Sequence, residues 1–294
     1  MIFRTMLFTP VNHARHVEKA LSGPADAVIL DLEDAVAVHE KPVARERLAR
    51  VLVELRGTRP AVFVRVNALG TPFARADLDA AANAGVAGIV LPKVESSAQL
   101  ATADWLIGQL EAERGLRPGS IELLPLIETA PGLTRIDEVA NGCARVRRLT
   151  FGAGDFTLDT GMEWTPANEG VLWGRIRTVI ASRAARLEAP IDTVFPDLAD
   201  HAGFEAEARQ ARRLGFGGKL CLHPDQVELA NAVFTPSESE VADANRVLEA
   251  FDRAEAGGSA SIQLDGRFID YPIAERARRV IETRRQALKQ ETEV

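Results

Sequence analysis

The chain is poor in cysteine: its 294 residues hold two, Cys143 and Cys221. Two thiols so far apart build no disulfide framework and match no metal-ligand spacing. Both read as small buried core residues, and a reducing cytoplasm is the expected compartment. Dense runs of Lys and Arg are missing too. The 35 basic residues stand against 42 acidic ones, a formal net charge of −7, which speaks against nucleic acid or an anionic membrane surface as partner. No apolar stretch approaches the ~20 residues of a membrane span, and the apolar run within residues 1–10 is too short for a signal peptide. A Gly-x-Ser-x-Gly elbow, a His-Glu-x-x-His pair and a three-glycine dinucleotide fingerprint are absent, as are internal repeats and low-complexity tracts. What is present is ordinary globular composition, 46% apolar and 26% charged, enough for a sizeable core. An acidic chain that takes an anionic substrate must build its positive potential locally.

Length alone suggests two domains of about 150 residues, but the patterning suggests otherwise. Short β-branched apolar runs at 3–9, 27–32, 61–66, 88–92, 121–127, 148–152, 191–194 and 219–222 are each followed by helical periodicity, as at 41–55, 98–113 and 169–187. The fifth run is apolar at nearly every position, as a strand buried on both faces requires. Eight βα units in series predict a (β/α)₈ TIM barrel of the α/β class; strand counting alone leaves a doubly wound open sheet as competitor. The barrel domain is expected over 1–236. The remainder, 237–294, opens with Ser237 as a helix cap, continues as a helix over 238–256, breaks at Gly257-Gly258-Ser259, forms a hairpin over 261–269 and ends in a helix over 273–290. This extension is too small to hold much core alone, and it is expected to pack on the barrel or on a neighbouring subunit.

Barrel chemistry sits where strands end. Asp31-Leu32-Glu33-Asp34 follows strand 2, Arg65-Val66-Asn67 strand 3, Lys93-Val94-Glu95 strand 4, Glu128-Thr129 strand 5, Gly152-Ala153-Gly154-Asp155 strand 6 and His223-Pro224-Asp225 strand 8. Glu128 and Asp155, on adjacent strands, offer a hard oxygen site for Mg²⁺ or Mn²⁺, or else pair with Arg or Lys. Arg65 offers a planar fork to a carboxylate or enolate oxygen, or else pairs with Asp31 or Glu33. Lys93 offers the same charge, or else neutralises Glu95. Three acids in four residues at 31–34 repel one another unless a cation is near. The glycine-containing turn at 152–155 exposes backbone N–H groups to an anion. His223, before Pro224, reads as a local hydrogen-bonding residue.

These residues resemble a known family. Leu7-Phe8-Thr9-Pro10, Leu30-Asp31-Leu32-Glu33-Asp34, Val64-Arg65-Val66-Asn67, Leu91-Pro92-Lys93-Val94-Glu95, Leu126-Ile127-Glu128-Thr129 and Phe151-Gly152-Ala153-Gly154-Asp155 occur in order, followed by His223-Pro224-Asp225-Gln226, Phe234-Thr235-Pro236 and Asp265-Gly266-Arg267-Phe268-Ile269-Asp270. The chain is similar, over essentially its whole length, to the citrate lyase beta-subunit-like branch of the HpcH/HpaI aldolase superfamily. The resemblance implies a (β/α)₈ barrel in a homotrimer or larger assembly, with Mg²⁺ held by Glu128 and Asp155 and with Asp31 and Glu33 near its waters. It implies that Arg65 contacts the reacting carbonyl and that the Gly154–Asp155 backbone holds the substrate carboxylate. It also implies that Asp270 matches the acid that related CoA lyases insert into a neighbouring subunit's site; Asp270 also reads as a cap for the last helix, with Tyr271-Pro272 as its first turn, and both roles can hold. The first loop departs from the family pattern, with Val11 in place of a glycine, while Arg15 and Lys19 still offer charge for CoA phosphates. The implied reaction joins or splits an acyl-CoA and an oxo acid. A malyl-, citramalyl- or citryl-CoA would yield acetyl-CoA, Arg65 would stabilise the enolate and Asp270 would act as the acid. Alternatives are a citrate lyase subunit acting on an acyl-carrier-protein thioester, and a CoA-independent aldolase of hydroxy-oxo acids.

Overall fold

The computed structural model of the protein describes residues 2–55, 60–165 and 168–292. Eight strands, β1 (Thr5–Pro10), β2 (Ala27–Asp31), β3 (Ala61–Arg65), β4 (Val86–Leu91), β5 (Glu122–Ile127), β6 (Thr150–Phe151), β7 (Ile191–Asp192) and β8 (Gly218–Cys221), close into a parallel barrel. Closure runs through the pairing of Thr5, Met6 and Leu7 with Lys219, Leu220 and Cys221. This is a (β/α)₈ barrel, not an open sheet. Its helices are α1 (Ala14–Leu21), α2 (Lys41–Glu54), α3 (Ala74–Ala81), α4 (Ser97–Glu113), α5 (Ala130–Thr134), α6 (Ile136–Ala140), α7 (Ala153–Thr160), α8 (Glu169–Ala184), α9 (His201–Leu214) and α10 (Pro224–Phe234).

Every residue of β2 and β5 is buried, because one face meets the helices and the other fills the barrel. The interior is packed by Met6, Ile29, Phe63, Val90, Leu124, Leu126, Ile191 and Leu220. Phe63 occupies the place a side chain on Gly88 would need, with a ring atom 2.4 Å from the position of its Cβ, so large and small residues alternate within the layer. Side chains alternate along a strand with period two. Asp31 is two residues beyond Ile29, Arg65 two beyond Phe63 and Glu128 two beyond Leu126, so all three enter the barrel mouth above this core.

The connections depart from one helix per strand. Two short helices, α5 and α6, separate β5 from β6, and α7 and α8 separate β6 from β7. β6 and β7 pair over two residues each, fewer than the apolar runs predict. After Phe151 the chain turns into α7. After Asp192 the groups of Thr193 leave the ladder: its carbonyl accepts from Lys219 Nζ (2.8 Å) and its hydroxyl from the Ala153 N–H (2.9 Å).

The chain divides into two compact units, Phe3–Asn231 and Ala232–Val294 with Met1–Ile2. The second contains α11 (Glu238–Ala256), an antiparallel hairpin of β9 (Ser261–Leu264) and β10 (Arg267–Asp270), and α12 (Tyr271–Thr292). Ser237 and Glu240 form a reciprocal cap on α11. Asp265 and Gly266, at φ 50° and 78°, make the tight turn. Val247, Phe251, Ile269 and Ala274 form a core of their own. Asp270 Oδ1 accepts from the Ile273 N–H at 3.2 Å, so α12 begins at Tyr271 with Pro272 in its first turn, as the capping reading of Asp270 expects and two residues before the 273–290 span. Among the described residues no helix is long and apolar enough to cross a membrane.

Candidate active site

Arg65 organises the acids of the mouth. Its Nε and Nη2 donate to the two oxygens of Asp31 at 2.7 and 2.6 Å, while Nη1 lies 3.1 Å from Glu33 and 3.7 Å from Asp34. Its planar face rests on Phe8, 4.7 Å from the ring centre. Burial works against the guanidinium charge, but Asp31, then Glu33 and Asp34, outweigh it and hold the group above its ordinary pKa. Asp31 also accepts from the N–H groups of Glu33 and Ala35. The repulsion expected within 31–34 is therefore relieved by one arginine, which is the ion-pairing alternative for Arg65. Two edges of its fork bond Asp31, and Nη1 faces Glu33 and Asp34 at ion-pair distance.

Lys93 pairs with other acids than its sequence neighbour suggests. Its Nζ donates to Glu33 Oε1 at 3.0 Å and lies 3.9 Å from Asp155, so it does not neutralise Glu95, whose backbone is instead tied to Gln99 and Arg135. The reason is backbone conformation: Lys93 has φ 53°, which turns the chain back toward strand β5. Its N–H donates to Glu128 Oε1 at 2.9 Å.

Glu128 is buried, and its carboxyl is raised well above the ordinary range by burial and by the charges of Glu33 and Asp155. Gly152 makes room for it, since a Cβ there would lie 2.7 Å from Glu128 Oε2. Glu33 is raised mainly by burial, against the pull of Arg65. Its Oε2 sits at ion-pair distance from Arg65 yet off hydrogen-bond alignment, and among the described residues no aligned donor reaches it. Asp155 lies in the first turn of α7, about a third exposed. The run 152–155 is thus a helix start rather than a free turn. Gly152 is the cap, Ala153 donates to Thr193, and the N–H groups of Gly154 and Asp155 have no carbonyl within the helix to bond to.

Other positions hold the mouth in shape. Lys41 Nζ donates to the carbonyls of Leu32 and Glu33, each at 2.9 Å. Asn67 Nδ2 donates to the Leu32 carbonyl. Asn67 falls within a strand-end motif; Thr193 carries no sequence signal because it acts on a helix start 40 residues away, and Lys41 carries none although the carbonyls it holds lie eight and nine residues before it. Outside the barrel wall, Asp192 takes the fork of Arg175 (2.9 and 2.8 Å) and Lys219 Nζ (3.0 Å). Lys219 also reaches Glu207, and the four form a buried ion cluster.

Beside the mouth lies a cavity of about 190 Å³, lined by Phe8, Pro10, His16, Lys19, Leu222 and His223 among others. Lys19 lines it; Arg15 is exposed on the same helix, α1, without lining it. Val11 is buried, and positive φ outside glycine occurs, among the described residues, at Lys93, Asn168, Arg186 and Asp265. The missing glycine therefore imposes no strain. His223 Nδ1 accepts from the Asp225 N–H at 3.3 Å, a local role. Cys221 is buried and its thiol is pushed up to about 12 by burial. Cys143 is half-buried rather than core, because it lies in a loop before β6.

Among the described residues no three His, Cys, Asp or Glu side chains converge as a metal cage. The mouth instead holds the buried carboxyl of Glu128, raised by burial and by Glu33 and Asp155, an orphaned oxygen on Glu33 and helix N–H groups, a donor set that suits a hard cation keeping several waters.

The profile of the family described as HpcH/HpaI aldolase/citrate lyase matches residues 4–224. The citrate lyase subunit beta of Leuconostoc mesenteroides subsp. cremoris is 36% identical over 278 residues, 95% of this chain and 92% of its own. The L-malyl-CoA/beta-methylmalyl-CoA lyase of Cereibacter sphaeroides is 34% identical over 299 aligned residues, 95% of this chain and 93% of its own. Among solved structures, CitE of Mycobacterium tuberculosis in complex with magnesium, acetoacetate and coenzyme A superposes with a TM-score of 0.79 at 29% identity, covering 96% of this chain and 98% of its own. A profile match across the barrel, joined to relatives aligned almost end to end, shows that the chain belongs to the HpcH/HpaI aldolase/citrate lyase family.

Proposed function

We propose that the protein is a Mg²⁺-dependent carbon–carbon lyase. It cleaves, or in reverse forms, a 3-hydroxy-carboxyacyl-CoA such as malyl-, citramalyl- or citryl-CoA, with acetyl-CoA and an oxo acid on the other side. The observation that carries this reading is the buried carboxyl of Glu128 at the barrel mouth, pushed up by burial and by the charges of Glu33 and Asp155 beside it. Relatives named as citrate lyase beta subunits and malyl-CoA lyases, and the CitE complex with magnesium and coenzyme A, support it.

Glu128 and Asp155 would hold the metal, with Asp31 and Glu33 beside it. Mg²⁺ supplies Lewis-acid polarisation of the substrate oxygens. Glu33, with one oxygen lacking an aligned donor, takes the hydroxyl proton as the C–C bond breaks. Arg65 presents Nη1 to the developing enolate oxygen. Asp270, donated by a neighbouring subunit of a homotrimer or larger assembly, delivers a proton to the enolate carbon, and solvent resets both acids. The N–H groups of Gly154 and Asp155 bind the oxo-acid carboxylate at a helix start. Lys93 adds positive charge to that subsite. Lys19 and Arg15 meet the CoA phosphates beside the cavity at α1. The cytoplasm supplies such thioesters.

The test is a panel of CoA thioesters assayed with the purified chain, with and without EDTA. Cleavage of one or more that stops in EDTA and returns with Mg²⁺ is expected; full activity in EDTA overturns the metal assignment. The likeness to citrate lyase beta subunits favours a second reading, an acyl-carrier-protein thioester as substrate. Activity on that thioester with none on any CoA thioester would select it.

A further inference from the structure

Lys93 reaches three of the acids at the mouth. Its N–H reaches Glu128 and its ammonium faces Glu33 and Asp155. The first contact needs backbone only. The second places a positive charge on carboxylates that the proposed function assigns to a divalent cation or to its surroundings. The residue adopts φ 53°, a region costly for a side chain with a Cβ and open to glycine, so glycine would serve Glu128 at least as well. The ammonium is the part that lysine adds. Arg65 is held by Asp31 on two edges and Lys41 by the Leu32 and Glu33 carbonyls, whereas Lys93 ends a flexible four-carbon stem and is about a third exposed.

We propose that Lys93 sets the affinity of this mouth for a divalent cation by competing with it for Glu33 and Asp155. The inference rests on the reading of Glu128 and Asp155 as the cation's holders. A dication and an ammonium sharing carboxylates repel each other at close range, so the competing charge keeps the cation exchangeable. A substrate carboxylate, which adds negative charge to the mouth, tips the balance toward retention. A residue that merely positioned Glu128 would have the opposite effect on removal.

The experiment is calorimetric titration of the full chain with Mn²⁺, without substrate. Lys93→Met is expected to tighten binding by about tenfold. Lys93→Gly, which keeps the N–H to Glu128 and relaxes the backbone, is expected to tighten it as well and carries the test if the first variant misfolds. Lys93→Arg, which keeps the charge, should stay within about twofold of the parent. Unchanged or weaker binding in both Lys93→Met and Lys93→Gly overturns the competition. A parent chain that binds no Mn²⁺, or whose binding survives Glu128→Gln, overturns the cation reading itself and the competition with it.

Discussion

A single guanidinium decides the state of the mouth. Arg65 serves three acids, two edges of its fork on Asp31 and Nη1 facing Glu33 and Asp34, a division of labour that depends on a planar fork with fixed spacing. Lysine has the charge but cannot span both oxygens of Asp31 while facing Glu33. Arg65→Lys is therefore expected to lower kcat by about 100-fold or more on the thioester that the parent cleaves best. A rate within a few-fold of the parent would show that the arginine only supports structure. The residues of this site were visible in sequence because strand ends carry chemistry in this fold, and Asp31, Arg65 and Glu128 each continue the inward face of an apolar strand. Pairing was less visible. Lys93 sits two positions from Glu95, yet a left-handed backbone sends it to Glu33, and nothing local marks that reversal. Thr193 was silent because it bonds a helix start brought near by the barrel alone, and Lys41 because its bonds go to backbone carbonyls that any side chain can present.

Elements were legible in proportion to their burial pattern. The fully buried runs of β2 and β5 and the capped helix α11 stand where the sequence puts them, whereas β6 gives way to α7 after Phe151 and β7 shortens because Thr193 bonds outside the ladder. The start of α12 shows how one residue serves two levels. Asp270 caps the helix here, and the proposed function also makes it the proton donor. These roles separate by substitution. Asn caps as well as Asp, so Asp270→Asn should leave the melting temperature near the parent value while turnover collapses. Asp270→Ala should lose turnover and about 1 kcal/mol of stability. Equal turnover in Asp270→Asn and parent would remove the residue from the reaction.

For the whole molecule, acid stability depends on carboxylates that hold distant pieces together. Glu111 on α4 accepts two bonds from Arg145 (2.8 and 2.6 Å) and the N–H groups of Gly119 and Ile121. Burial raises its carboxyl, but these bonds outweigh it and hold the group at about 2, below its ordinary 4.5. A depressed carboxyl stabilises the fold above its unfolded pKa, and that contribution fades as pH falls from about 4.5 toward about 2. The melting temperature of Glu111→Gln should thus lie below the parent at pH 7, and the gap should close as the pH is lowered through that window. A gap that is constant with pH would assign the loss to packing alone.

The seam that closes the barrel has a further consequence. Cys221 pairs with Leu7 where β8 meets β1, wholly enclosed and with its thiol pushed up to about 12. A thiol so placed is chemically silent while the ring of strands is intact. It becomes an ordinary nucleophile when β1 and β8 part, so the barrel carries a reporter of its own opening at the joint where first and last strands meet.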